Sequence, residues 1–166
     1  MGKFLFHIAR VKMAGAFVGF IFTYLPFLIP IRKTMQNDKV VAMPHPAAAY
    51  LDHILLIPRK LAANIFCLSA RDFIRVIEMA TEIRREDDRD FVLLINGGDR
   101  QEVMQAHFHL YTGNESAHQK ASLPFEIFYE VRFDLHDILK KNGISEKSFS
   151  LIIQFEANNN PVVYLT

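Results

Sequence analysis

The chain has 166 residues, which is enough for one domain with a hydrophobic core. Its net charge of +1 lacks the basic surplus of a nucleic-acid-binding surface, so we expect no nucleic-acid partner. The single cysteine, Cys67, excludes an intrachain disulfide framework and favours a reducing, cytoplasmic compartment. Because its neighbours in the sequence are apolar, Cys67 is interpreted as a small buried hydrophobe.

Residues 13–31 carry no charge and are flanked by basic residues on both sides. As a helix this stretch would be about 29 Å long, close to the hydrocarbon thickness of a bilayer. Pro26 and Pro30 predict that the helix kinks or ends in its second half. The segment fits either a membrane-spanning or interfacial helix, or a helix packed on the protein's own core or on a partner chain. We therefore divide the chain into an apolar N-terminal segment, 1–31, and a domain, 32–166.

Two strands and a helix are predicted next. Residues 39–43 form a strand, and after an irregular stretch the nearly continuous apolar run 53–58 predicts a second, buried strand. Ser69 and Asp72 have the spacing of a capping box, and apolar residues then recur at helical intervals. This amphipathic helix is expected to end near the charged run 84–90.

The pattern between residues 91 and 110 predicts a strand, a turn and a strand that carries histidines. Residues 91–95 form the first strand, and Asn96-Gly97-Gly98-Asp99 is the predicted turn. Residues 101–110 alternate polar and apolar side chains, so as a strand they place Gln105, His107 and His109 on one face. Adjacent imidazoles on that face would lie about 7 Å apart along the strand, which makes it a candidate reaction site.

The remaining residues predict more sheet. A loop over 113–122 precedes a strand over 125–133 and a short helix over 135–141, and two closing strands cover 149–155 and 162–165. The sum is an α+β domain, a mostly antiparallel sheet with one main amphipathic helix. An apolar N-terminal helix precedes it and a C-terminal strand extension follows.

Two ordered blocks resemble a known family. The first is His53-Ile54-Leu55-Leu56-Ile57-Pro58 with the strand and loop before it, and the second is Ile95-Asn96-Gly97-Gly98 followed by Gln101, Val103, Gln105, His107 and His109. Together they resemble the histidine triad (HIT) superfamily over roughly residues 30 to 112. The resemblance implies a HIT-like fold and, through extension of the sheet, a homodimer.

The resemblance also implies a chemistry. HIT proteins are nucleotide hydrolases and nucleotidyl transferases that attack the α-phosphate of a nucleoside phosphate through a covalent nucleotidyl-histidine. The nucleophile position is His107, the third histidine is His109, and His53 matches the upstream histidine that supports them. Asn96 and Gln101 match positions lining the ribose and phosphate end of the site, and amides around Gly97 and Gly98 could help to neutralise phosphate oxygens.

Three positions depart from the family pattern. Gln105 replaces the first histidine, and an amide cannot be protonated to stabilise charge. Glu102 stands where a serine is usual. His45 falls on the position of the ribose-binding aspartate. An alternative function is therefore that of a catalytically degenerate HIT-like binding or structural subunit, with a membrane-associated complex as one setting.

No metal or other cofactor is expected. Two histidines on one strand supply two ligands, whereas closed zinc sites use four. Glu115 and His118 are the candidates for completing such a site, and they have no recognised ligand spacing.

Overall fold

The computed structural model describes residues 35–45, 48–85, 87–101, 103, 105–113, 121–130, 133–156 and 161–166. The apolar segment 1–31 lies outside these residues, so its helix and its contact with a membrane or a partner chain stay predictions. Homodimerisation likewise stays a prediction. No helix within the described ranges is long and apolar enough to cross a membrane.

Within the described residues, eight strands form one antiparallel sheet. In chain order they are β1 Met35–Gln36, β2 Val40–Pro44, β3 Leu51–Pro58, β4 Phe91–Gly98, β5 Phe108–Thr112, β6 Ala121–Leu123, β7 Ser148–Phe155 and β8 Val162–Leu165. Their order across the sheet is β1-β2-β3-β5-β4-β7-β8-β6. The short strands β1 and β6 therefore form its edges, and the histidine-bearing β5 lies inside it.

In the described part of the chain, two α-helices accompany the sheet, α1 over Ala70–Arg84 and α2 over Leu135–Lys141. The predicted capping box begins α1, because the Ser69 side chain accepts from the Asp72 amide and the Asp72 carboxylate accepts from the Ser69 amide. Short 3-10 helices cover Ile65–Cys67 and Phe125–Tyr129. Cys67 is exposed rather than buried, and its thiol donates to the Asn64 side chain at 3.4 Å.

The antiparallel sheet and its helices confirm the predicted α+β fold class.

The two faces of the sheet differ because side chains alternate along each strand. One face packs against α1 and makes the main core, whose members include Phe73, Leu93, Ile95, Phe108 and Leu110. The opposite face carries the histidines, together with a small buried apolar cluster of Val41, Met43, Leu55 and Ile57.

Four predicted elements differ from the structure. The loop expected over 113–122 ends earlier than predicted, since Ala121 and Ser122 already belong to β6. The strand expected over 101–110 begins only at Phe108, because the Gln101 carboxamide before it donates to the carbonyls of Ala63 and Val103. Within the strand expected over 125–133, Phe125–Tyr129 form a 3-10 helix that buries Phe128 against the core. The turn expected at Asn96 to Asp99 begins later, since Asn96, Gly97 and Gly98 continue β4 in register with β7.

Gly97 is required by a close approach. It lies opposite Phe149 on β7, and a Cβ at position 97 would overlap the Phe149 ring. Glycine therefore lets the aromatic side chain fold over the strand and enter the core.

We expect Gly97→Ala to lower the free energy of unfolding by about 2 kcal/mol, the cost typical of overpacking. Urea denaturation measures this. The matched background is Phe149→Leu, in which the smaller side chain should absorb much of the added methyl group. An equal cost of Gly97→Ala in both backgrounds would show that the Phe149 ring is not the obstacle.

Candidate active site

Strand pairing brings four histidines to one face of the sheet. His53 is on β3, His109 is on β5, His107 directly precedes β5 and His45 directly follows β2. Leu55 on β3 pairs with His109, and the His45 amide donates to the His53 carbonyl at 2.9 Å. The cluster therefore follows from the register of three neighbouring strands.

His45, His53 and His109 are in mutual contact. The rings of His45 and His53 stack with centroids 4.1 Å apart and planes 6° apart. His109 is tilted against both, at 5.7 Å from the His45 centroid and 5.2 Å from that of His53. One nitrogen from each ring can be chosen so that all three lie within 4.8 Å of one another.

Hydrogen bonds define the tautomers of His53 and His109. The Ala49 amide donates to His53 Nδ1 at 3.4 Å, so the proton of a neutral His53 is on Nε2. Nε2 lies 3.0 Å from His109 Nδ1 and is therefore the donor in that bond. The proton of a neutral His109 is then on its own Nε2.

Burial keeps these two rings neutral. Desolvation, with the neighbouring His45 ring, lowers the pKa of His53 from 6.5 to about 4. Desolvation and the nearby rings of His107, His53 and His45 lower the pKa of His109 to about 2. Both side chains are thus uncharged at neutral pH.

The imidazole of His107 is oriented by its own chain. Its Nδ1 lies 2.8 Å from the backbone carbonyl of Gln105, which can only accept a hydrogen bond. Nδ1 therefore carries the proton, and Nε2 of the neutral ring carries the lone pair. His107 is half-buried, and its ring meets that of His109 edge to face at a centroid distance of 5.0 Å.

The side chain of Gln105 holds the loop whose backbone carbonyl orients His107. Its side chain is only 2 % exposed and donates through Nε2 to the carbonyl of Lys60 at 3.1 Å. Gln105 thus anchors the loop before β5 to the end of β3, and this bond holds the carbonyl that orients His107.

The residues predicted to bind substrate differ in which groups their side chains or backbones contact. The Ser150 hydroxyl donates to the Asn96 side-chain oxygen at 2.7 Å and accepts from the Arg100 guanidinium at 3.0 Å, which fixes the Asn96 carboxamide. His45 joins the histidine cluster. Gln101 uses its amide group within the loop, and Gly97 and Gly98 belong to the β4–β7 ladder.

Comparison with known proteins identifies the family. The family model described as HIT domain matches residues 28–116, more than half of the chain. The chain belongs to the HIT family. At family level, this membership supports a nucleotide-related function.

Solved structures agree on the fold. A structure titled "Hit Like Protein" superposes with a TM-score of 0.51 at 22% identity, covering 57% of this chain and 98% of its own. A histidine triad protein from Clostridium difficile has a TM-score of 0.50 at 25% identity, covering 59% of this chain and 93% of its own. No curated protein sequence matches the chain.

In this HIT domain a β-bulge shapes the approach to His53. The register of β3 against β5 shifts between Leu51 and Ile54, and Asp52 within the bulge has a φ of 52°. The Arg84 guanidinium donates to the Asp52 carbonyl at 3.0 Å, and Arg89 donates to the Asp52 carboxylate at 2.9 Å. The end of α1 and the turn after it therefore hold the residue next to His53.

Asp87 completes this network. It accepts hydrogen bonds from both arginines, and the bonds from Arg89 hold the pKa of the Asp87 carboxyl well below its usual range.

Sequence patterns did not reveal the supporting residues. Arg84 and Asp87 lie in a charged run that predicted only a solvated helix end. Ser150 belongs to a mostly apolar strand, in which Ser148 and Gln154 are the other polar residues. The sequence shows only that Ser150 is a polar residue among apolar neighbours. This pattern does not indicate that Ser150 bonds to Asn96 and Arg100.

We expect Arg84→Met to lower the free energy of unfolding by about 2 kcal/mol, because a charged hydrogen bond to the Asp52 carbonyl is lost at a buried site. Chemical denaturation measures the change, and nitrogen NMR of the imidazoles reports whether the His53 tautomer is disturbed. Arg85→Met is the matched control, since Arg85 is the exposed neighbour. Equal effects of the two substitutions would contradict a positioning role for Arg84.

Proposed function

We propose that this HIT protein is a nucleotide hydrolase or nucleotidyl transferase that works through a covalent nucleotidyl-His107. The observation that supports this most directly is the 2.8 Å contact between His107 Nδ1 and the Gln105 carbonyl. It fixes the tautomer in which Nε2 has its lone pair, as a nucleophilic imidazole requires.

In the first step, His107 Nε2 attacks the α-phosphorus of a nucleoside phosphate ester, anhydride or amidate. A P–N bond forms, the bond from phosphorus to the leaving group breaks, and the leaving group departs with the bonding electron pair. In the second step, water or another acceptor attacks phosphorus and a P–O bond forms. The P–N bond breaks with its electron pair returning to His107 Nε2, and the proton of the acceptor passes to solvent.

Supporting roles follow from the observed hydrogen bonds. We assign His109 as a hydrogen-bond donor to a phosphoryl oxygen, because its Nδ1 is occupied by His53 and its proton is on Nε2. A neutral donor stabilises developing negative charge less than a protonated one would. Asn96, fixed through Ser150, is assigned to the ribose and phosphate end of the substrate.

The nature of position 45 bears on substrate choice. An aspartate there could accept two ribose hydroxyls with its two oxygens, whereas a neutral imidazole offers one acceptor nitrogen. His45 is also stacked on His53. We therefore propose that ribose is bound more weakly than by an aspartate, so that other parts of the substrate contribute more of the binding energy.

Trapping the intermediate tests the function. The full chain is incubated with nucleoside phosphoramidates, dinucleoside polyphosphates and nucleotide-linked lipids labelled at the α-phosphorus, and protein-bound label is located by peptide mass spectrometry. We expect label on His107 and at least about a thousandfold slower turnover in His107→Ala, because the nucleophile is removed.

The control for this experiment is His136→Ala. His136 is an exposed histidine on α2 whose Nδ1 contacts the Glu146 carboxylate, so it lies in a different part of the structure. His136→Ala should label like the wild type. If His107→Ala still turned over the substrates, His107 would not be the nucleophile.

One observation favours the alternative of a catalytically degenerate binding or structural subunit. Gln105, at the first triad position, donates a hydrogen bond to the Lys60 carbonyl, and its side chain has no titratable group. This alternative predicts that His107→Ala assembles and functions like the wild type in the cell. It also predicts nucleotide turnover in the double variant Gln105→His with His45→Asp, but none in the wild-type chain.

A further inference from the structure

We propose that His45, His53 and His109 together bind one divalent transition-metal ion, with Zn²⁺ the best match. Imidazole nitrogens are among the preferred ligands of Zn²⁺. The strand that carries His107 and His109 supplies only His109 to this set. His53 comes from the neighbouring β3, and the pairing of β2 with β3 places His45 beside His53.

The three imidazoles are close enough to share one ion once their rings turn. With Zn–N bonds of 2.0–2.1 Å, two ligand nitrogens of a tetrahedral site lie about 3.3 Å apart. The facing nitrogens of His53 and His109 are 3.0 Å apart, and one nitrogen from each of the three rings lies within 4.8 Å of the others. The rings of His45 and His53 are stacked with their planes 6° apart, so side-chain rotation must bring their nitrogen lone pairs to converge on the ion.

The ligands are also in a suitable protonation state. A metal binds the unprotonated nitrogen of an imidazole, so a pair of rings held neutral by burial needs no prior loss of charge. One proton must move, because His53 Nε2 now donates to His109 Nδ1. It transfers to His53 Nδ1, and the 3.4 Å hydrogen bond from the Ala49 amide is given up. The rings of His53 and His109 then turn so that His53 Nε2 and His109 Nδ1 converge on the ion.

The position of the site leaves room for exchange. His53 is only 6 % exposed, whereas His45 and His109 are half-buried, so an ion can enter from the His45 side. Three protein ligands leave the fourth position of a tetrahedral ion open. Water or an anionic oxygen, such as that of a phosphate group, would occupy it.

The third ligand departs from the family pattern, since the resemblance implies an aspartate where this chain has His45. A carboxylate there would accept hydrogen bonds from a substrate, whereas a third imidazole converts a hydrogen-bonded pair into a triad of soft nitrogen ligands. The proposal does not require that His107 react with a nucleotide.

Metal binding by the full chain tests the proposal. The protein is stripped with a chelator, and Co²⁺ is titrated while visible absorption is recorded, followed by displacement with Zn²⁺ and calorimetry. We expect one ion per chain, with the strong absorption of four-coordinate Co²⁺. His45→Asn should weaken binding at least about a hundredfold, because one of the three imidazole ligands is lost.

Two further variants make the result decisive. His109→Asn should weaken binding similarly, whereas His136→Asn, at an exposed histidine outside the triad, should bind like the wild type. Circular dichroism checks that each variant is folded. Undiminished binding in His45→Asn, or no ion bound by the wild type, would overturn the proposal. Neither outcome bears on labelling of His107, which is measured separately with nucleotides in the presence of chelator.

Discussion

The register of β3 against β5 is the constraint on which the rest of the site depends. Once Leu55 pairs with His109, alternation places His53, two residues before Leu55, on the same face. A shift of one residue in either strand would send one of these imidazoles into the apolar core beneath α1. The register is secured by that core, because Leu56, Phe108 and Leu110 are fully buried on the opposite face. Packing on one side thus fixes chemistry on the other.

Desolvation keeps the imidazoles of this cluster neutral. A protonated imidazole beside two other imidazoles would be repelled by any charge they carried and would lose hydration, and both effects favour neutral rings. Neutral rings have one donor and one acceptor nitrogen each, so the hydrogen bonds from Ala49 to His53 and from His53 to His109 must all run in one direction. His107 has the same need, and the Gln105 carbonyl meets it locally. The tautomers of three histidines are therefore determined by two backbone groups, the Ala49 amide and the Gln105 carbonyl.

Much of the fold could be predicted from the sequence, because its signals were local. The capping box at Ser69 and the helical spacing after it predicted α1, and the continuous apolar runs predicted β3 and β4. The loop before β5 could not be predicted in this way. Its alternating pattern is that of a strand, yet the Gln101 and Gln105 side chains bond to carbonyls of the chain near residues 60–63 and hold the backbone in a loop. Such bonds join residues about forty positions apart, and composition gives no sign of them. The same limit applies to His45, whose place beside His53 follows from strand pairing and not from spacing along one strand.

The two proposed properties of the histidine face are chemically compatible. His109 Nδ1 has one lone pair, which can accept the His53 proton or bind a metal ion, but cannot do both. In either state the proton of His109 is on Nε2, so the donor assigned to a phosphoryl oxygen is retained. A metal at this position would add positive charge next to that donor and draw electron density from the ring, which makes Nε2–H a stronger donor. The glutamine at position 105 removes an imidazole from the triad, and an ion bound at His109 would supply positive charge near His107. The aspartate-to-histidine departure at position 45 and the histidine-to-glutamine departure at position 105 would then be complementary changes within one site.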